Sequence, residues 1–528
     1  MNLQRFAPFT AAILILLSGR AGAQCTQVAT GLHEALGTAL TNQGNVLVAE
    51  SGTAAARSGR ISIVDMNGNR RTLIDGLPSG PSDVGDPSGP NGVFMRGRSL
   101  YVAIGVGDVG VSGPFPGTTV PNPNGPSSQL FSSILLVQFS AAFEQSTTGV
   151  TLTPAMEQML VSGQTVWLTN DNREWMSVRM LVNFPDYVAA PLPTFAGNVQ
   201  SSNPFDLVAV EDTLYVTDGG RNRLWQVDLL TGSFSTLAVF PDIPNPLFGG
   251  GPGGPFEQAV PTGIAAFRGH LFVTLFRGAP FLGGTSTVVD VNPVTGSVTN
   301  FITGRKTAID VLPIAERGRT TYFVLQFDST PGPFFGGPGQ LLRFDSPTGP
   351  PTVLADCLTA PTSMTLDSKR GALYISEVGG RIVRIALPSD VTFTPTLQTL
   401  STRGRVDSGD NLMIGGFTVA ASSSGAPTTV LVRGIGPSLS SYGVAQPLAD
   451  PLLTVHDATG KEIARNDNWR GDPGQVSQQA EIQTAGLAPA SDLESAIVAS
   501  LAPGDYTAAV RAKGSNAGNA LVQVYQLP

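Results

Sequence analysis

The chain has 528 residues, with 62 Gly, 41 Pro and only 13% charged side chains. That length exceeds what one hydrophobic core supports, and the composition excludes long charged helices and wholesale disorder. A formal net charge of −8 without a basic stripe excludes a nucleic-acid backbone as partner.

The first 23 residues read as a secretory signal. Arg5 supplies the basic start, residues 11–17 the apolar stretch, and Ala21-Gly22-Ala23 the small-residue cleavage site. The apolar run is too short to span a bilayer, and no other membrane span is visible. Gln24 directly before Cys25 argues against a lipoprotein. The expected product is therefore exported, either secreted or periplasmic. Loss of Arg5 and Arg20 leaves 29 basic against 39 acidic residues, a net charge of −10 that keeps such a protein soluble.

Between residues 28 and 388 one pattern recurs six times: a turn rich in Pro, Gly or Asn, a short apolar strand, a second strand and a third. The second strands are Val46–Glu50, Leu100–Ala103, Leu214–Thr217, Leu271–Thr274, Tyr322–Leu325 and Leu373–Ser376. They are runs of β-branched and aromatic residues, most of them bounded by turn formers. A fourth strand follows most copies, as in Arg71–Ile74 and Ser235–Val239. Repeats of this size and content predict a six-bladed β-propeller over residues 24–388. The last copy lacks its own fourth strand, and the chain begins with an orphan strand, Gln27–Thr30. Pairing the two closes the ring and removes an exposed edge.

An insert of about residues 140–201 interrupts the second blade. It carries Trp167 and Trp175, with short helices expected near 154–161 and 173–182. After Pro388 the blade pattern stops. Residues 389–528 alternate apolar and polar, as in Thr429–Val432 and Ala520–Tyr525, and read as a separate antiparallel β-sandwich. The fold class is all-β throughout.

Two cysteines occur. Cys25 follows the cleavage site, and Cys357 lies just before the sixth copy, where the ring closes. An exported compartment permits a disulfide between them. Two unpaired thiols are the alternative, because sequence carries no Cα separation.

The repeats resemble those of the ScyD/ScyE family, exported propellers related to NHL-repeat proteins. The residues that carry the likeness are Val28–Leu32, Val46–Glu50, Gly89–Val93, Asn203–Asp206 and Leu214–Asp218. The likeness covers about residues 25–388 and implies a propeller, with no catalytic motif to carry over. The tail resembles a C-terminal module common on exported bacterial proteins, through Leu400–Gly404, Ile414–Phe417, Val432–Leu439, Asn466–Trp469, Asp492–Ile497 and Pro503–Thr507. That likeness implies an accessory or adhesion-like role.

On a propeller, the loops entering each inner strand and those joining second to third strands open on one face, around the channel mouth. Glu50, Asn91, Asn203, Asp206, Asp218, Asp310 and Glu377 are expected there. Hard oxygen ligands suit Ca²⁺, with Asp206, Asp310 and Glu50 as the candidate set. The competing reading is turn capping. The same choice applies to Asp450, Asp457, Asn466, Asp467 and Asn468 in the tail, and Trp469 reads as core.

The same loops carry repeated Pro-Phe segments. Phe115, Phe248, Phe256, Phe281, Phe334 and Phe335 are expected to form an apolar rim, either an interaction surface or packing for long loops. The only histidines, His33, His270 and His456, are scattered. This argues against a quinone-dependent dehydrogenase, which needs a histidine base, and against a Ser-His-Asp hydrolase. Two functions follow. One is a non-catalytic propeller that binds a small apolar molecule, a glycan or a protein on its loop face. The other is a Ca²⁺-dependent hydrolase or lactonase at the channel mouth.

Overall fold

The computed structural model describes residues 25–528, apart from 116, 253, 317–318, 392–398, 408–411, 420–426, 443, 472–476, 515–516 and 528. Residues 1–23, read above as a secretory signal with Arg5, Arg20 and Ala21-Gly22-Ala23, and Gln24 after them lie outside the described residues. Among the described residues, no helix is long and apolar enough to cross a membrane.

Six antiparallel sheets follow one another in a ring, and the inner strand of each touches the inner strands of its two neighbours. The inner strands are Ala35–Leu40, Pro90–Arg96, Pro204–Val210, Pro261–Phe267, Ala308–Glu316 and Pro361–Asp367. The second strands are apolar because sheets pack on both their faces: every residue of Val46–Glu50 and Ala372–Glu377 is buried. Burial falls outward, and most of the outer strand Phe234–Val239 meets solvent. This is a β-propeller.

The ring closes as the orphan strand requires. Cys25–Ala29 is the outer strand of the sixth sheet, antiparallel to Arg381–Ala386, with Gln27 opposite Val383 and Ala29 opposite Ile382. Cys25 and Cys357 form a disulfide with a Cα separation of 6.2 Å. Cys357 belongs to Thr352–Leu358, the outer strand of the fifth sheet, so the bond ties the closing strand to its neighbouring sheet.

The insert of the second sheet holds the expected helix at 154–161, adds an unexpected one at 141–146 and lacks the one expected near 173–182. Helix α1 (Ala141–Ser146) and helix α2 (Pro154–Val161) form, each with a side-chain N-cap, Ser140 and Thr153. Residues 175–183 are not helical. Trp175–Asn183 is the outer strand that the sheet otherwise lacks, paired with Ser133–Phe139, and Val166–Thr169 adds a fifth strand beyond it. The need to cover Ser133–Phe139 outweighs local helix propensity.

The insert also clamps the first two sheets together. Val150–Thr151 pairs in parallel with Arg70–Leu77. From α1, the fully buried Glu144 accepts from Thr41 Oγ1 at 2.6 Å and pairs with Arg98 at 2.7 Å. From α2, Glu157 pairs with Arg57 at 2.7 Å.

In the tail, two four-stranded sheets share one core. Thr399–Val406, Gly518–Gln526, Thr428–Ile435 and Ser495–Leu501 form one; Met413–Val419, Gly504–Ala512, Pro451–Asp457 and Glu462–Asn466 form the other. Val432, Leu453, Val510 and Val524 from both sheets meet between them, giving a β-sandwich. Trp469 is 3% exposed, and its Nε1 donates to the Ser491 carbonyl. Asp457 caps its own turn, accepting from the Thr459 and Lys461 N–H groups. Asp467 and Asp450 both pair with Lys513.

Candidate functional site

The loop face is built first by carboxylates that fasten backbone. Glu50, Asp218 and Glu377 each end a second strand, and each is at most 1% exposed. Each accepts an N–H from the loop entering its own sheet: His33 N at 2.6 Å, Asn203 N at 2.8 Å and Thr359 N at 2.7 Å. Glu50 also receives the Ser62 hydroxyl and faces Arg60 at 3.7 Å. Asn91 donates to Asn203 Oδ1 and to the Pro204 carbonyl, joining the second and third sheets.

Asp206 and Asp310 occupy equivalent positions, at a register shift in the inner strands of the third and fifth sheets. The same position holds Gly37, Gly92, Gly263 and Ser363 in the other sheets. Each polar side chain there reaches the next sheet. Asp206 accepts from Ile264 N at 3.0 Å, Asp310 from Met364 N at 2.8 Å and Ser363 from Thr38 N at 3.2 Å. Where the residue is glycine, neighbouring backbones close in instead. A Cβ on Gly263 would lie 2.7 Å from Asp310 Cα and from the Ile309 carbonyl oxygen.

Both carboxyls titrate high. Burial pushes Asp206 up to about 6, against the opposing pull of the Ile264 and Leu207 N–H groups. Burial, and then the Asp206 charge, holds Asp310 well above the usual carboxylate range. The two lie at the inner end of a cavity of ≈ 490 Å³ walled by Val93, Val208, Ile264 and Val311. That cavity runs to Asn42, Gly44, Ser368 and Arg370, in turns between first and second strands. It therefore extends toward the face opposite the Pro-Phe loops. Among the described residues, no group of three His, Cys, Asp or Glu is arranged to hold a metal ion, and Glu50 does not join Asp206 and Asp310.

The six rim phenylalanines divide into three places. Phe281, Phe334 and Phe335 converge where the loops of the fourth and fifth sheets meet. Phe281 stacks on Phe335 at 4.5 Å and approaches Phe334 at 6.4 Å. Phe276 and Phe327 complete the cluster, at 6.3 and 5.0 Å from Phe335. Phe115 instead packs on Phe195 at 5.8 Å. Phe248 and Phe256 stand exposed around the short hairpin pairing Ile243–Pro244 with Phe256–Glu257. Phe276 and Phe327 escape a sequence reading because each directly follows a second strand and looks like its last apolar residue. A signal does exist: the sheets without aromatics there have Ser51, Gly105, Gly219 and Val378.

The cluster rests on a rigid base. Phe334 and Phe335 are 45% and 47% exposed, yet their loop is pinned from below. The buried Lys306 donates to the Gly332 and Phe334 carbonyls at 2.8 and 2.6 Å and meets Asp328 at 3.0 Å. Asp328 accepts from the N–H groups of Gly336 and Gly337 at 2.8 and 2.7 Å. Burial alone would raise Asp328, but these N–H groups, the Thr330 hydroxyl and Lys306 together hold it far below the ordinary range. Phe334 N donates to the Pro280 carbonyl at 2.8 Å, joining the two loops. Phe281 and Phe334 both take positive φ, 57° and 59°, a costly conformation for a bulky residue.

No protein-family model matches the chain, and no curated protein sequence is similar to it. Several solved structures are similar in shape. A PQQ-bound aldose sugar dehydrogenase from Streptomyces coelicolor matches at 12% identity over 68% of this chain and 96% of its own, with a TM-score of 0.39. A gluconolactonase from Xanthomonas campestris matches at 14% identity over 69% and 90%, with a TM-score of 0.37. An auxiliary nutrient binding protein from Bacteroides thetaiotaomicron matches at 10% identity over 67% and 69%, with a TM-score of 0.37.

Proposed function

We propose that the chain is an exported, non-catalytic propeller that binds a small apolar molecule on its loop face, at the cluster of Phe276, Phe281, Phe327, Phe334 and Phe335. The observation that carries this reading is the half-exposed Phe334–Phe335 pair on a loop pinned by a buried ion pair. Loops that merely pack inward do not need aromatic rings facing solvent in a strained backbone. A fixed platform also spares a ligand the cost of ordering it. Export is supported by the Cys25–Cys357 disulfide, which persists in oxidising compartments. A glycan or a protein on the same face are the other occupants of this reading.

The test is a titration of the purified protein with 1-anilinonaphthalene-8-sulfonate. Replacing Phe334 and Phe335 with Ser should weaken binding about tenfold while leaving the melting temperature nearly unchanged. A collapse in stability would make the rings core and remove the reading.

A Ca²⁺-dependent hydrolase or lactonase is the second reading. Asp206 and Asp310 favour it by sharing a cavity of ligand size, ≈ 490 Å³, with displaced titrations. Metal analysis of the purified protein, followed by Asp206→Asn and Asp310→Asn, decides it. Absence of bound divalent ion, with activity unaltered in both variants, removes it.

A further inference from the structure

The outer edge of the second sheet carries aromatic surface that the loop face does not use. Val166–Thr169 is its outermost strand and pairs on one side only, with Trp175–Asn183. Strand alternation buries Val166 and Leu168 against Met176 and Val178 and turns Trp167 and Thr169 outward. Trp167 is 67% exposed and Trp175 43%. Their rings touch at 5.8 Å between centroids, with planes inclined at 55°, so the two indoles form an open corner. The other two tryptophans, Trp225 and Trp469, are 5% and 3% exposed.

The sheet register extends this corner into a polar lane. Trp167 stands opposite Ser177, Ser177 opposite Gln138, and Gln138 opposite Ser99; Ser177 is only 5% exposed and floors the lane, so Gln138 and Ser99 are its accessible polar groups. Residues opposite one another on adjacent strands project from the same face. Four strands at roughly 4.8 Å spacing make a lane about 14 Å long from indole to hydroxyl. Gln138 is exposed, and its amide donates to Ser99 Oγ at 3.0 Å. Thr169, opposite Trp175, adds a hydroxyl on the far side of the corner.

We propose that this strip binds an extended, β-linked polysaccharide. A pyranose ring is amphipathic: its C–H face stacks on an indole while hydroxyls around its rim seek hydrogen bonds. One indole underlies the sugar face and the other covers its edge. Gln138 and Ser99 then meet hydroxyls of the following sugars. A straight lane suits an extended chain better than a coiled one.

Other occupants fit less well. Two indoles expose on the order of 300 Å² of ring surface, against about 800 Å² per partner in a stable protein interface. An anionic membrane would need a basic excess, but Arg173 and Arg179 here are matched by Asp171 and Glu174. The polar lane adjoining the indoles is of no use to an acyl chain.

The test uses the full chain and a panel of soluble β-glucan, xylan and carboxymethylcellulose, with amylose as the coiled control. Because Trp225 and Trp469 are buried, ligand-induced change in tryptophan fluorescence reports Trp167 and Trp175. At least one β-linked member should shift the emission and retard the protein in affinity gels, more strongly than amylose. Trp167→Ala and Trp175→Ala should each weaken retardation about tenfold or more, and Gln138→Ala by a smaller factor. Melting temperatures should stay at the wild-type value. The Phe334/Phe335 double Ser variant should bind as wild type, which separates this site from the loop face. The proposal falls if no β-linked member binds, if the tryptophan variants bind as wild type, or if amylose binds equally well. It also falls if sedimentation shows a dimer that Trp167→Ala abolishes, since the free strand edge would then serve a second copy.

Discussion

Lys306 and Asp328 meet at 3.0 Å beneath the loop that presents Phe334 and Phe335, and both are at most 5% exposed. A buried charge left without its partner is expensive, typically about 3–5 kcal/mol. Lys306→Met should therefore destabilise the protein by roughly that amount and loosen the aromatic loop. Denaturant unfolding measures the first effect. The second appears as weaker dye binding and faster hydrogen exchange at Gly336 and Gly337.

Asp206 and Asp310 make stability depend on pH in the sense opposite to an ion-paired carboxylate. Folding raises both titrations, so the native state binds more protons than the unfolded chain once pH passes the ordinary carboxylate range near 4. Stability should fall as pH rises from about 4 through the Asp206 titration at about 6, and further as Asp310 ionises. Asp206→Asn keeps an oxygen for Ile264 N and removes the charge. It should stabilise the protein at pH 8 by on the order of 2 kcal/mol and leave it nearly unchanged at pH 4. Unfolding curves across this range check the sign.

The Cys25–Cys357 bond closes a loop of 332 residues in sequence separation. Replacing both cysteines with Ser should cost about 2–5 kcal/mol, chiefly by freeing the unfolded chain. The closing strand should also become the first protease-sensitive segment, which limited proteolysis with N-terminal sequencing would show.

The inner ring tolerates no Cβ at its glycine positions. Gly263→Ala should destabilise by more than about 2 kcal/mol, because the clash is with backbone that cannot swing aside. Gly254→Ala, with nothing within 4 Å of the added atom, is the control and should be neutral. Thermal unfolding of the two variants side by side is sufficient.

Much of this architecture was legible beforehand, for local reasons. The second strands announce themselves as apolar runs because both faces are covered. The orphan strand Gln27–Thr30 and the missing fourth strand of the last copy point to each other by count. Pro154–Val161 begins with a Thr cap and a proline and forms α2 as read. Residues 173–182 misled, because Trp175–Asn183 is a strand only through its pairing with Ser133–Phe139. The converging Phe281, Phe334 and Phe335 were visible as Pro-Phe segments, whereas Phe276 and Phe327 were hidden at strand ends.

The amino-acid sequence by itself determined the repeat, the strand content and the way the circle closes, since each follows from hydrophobic period and turn chemistry within a few residues. Tertiary structure alone decided what the polar side chains do. Asp206 answers to Ile264, Asp310 to Met364, and Lys306 to the far side of a loop more than twenty residues on. It also decided that the cavity holding the two aspartates extends away from the aromatic face. Burial and hydrogen-bond partners are set by neighbours that are distant in the chain, and no local pattern encodes which neighbour the ring will bring.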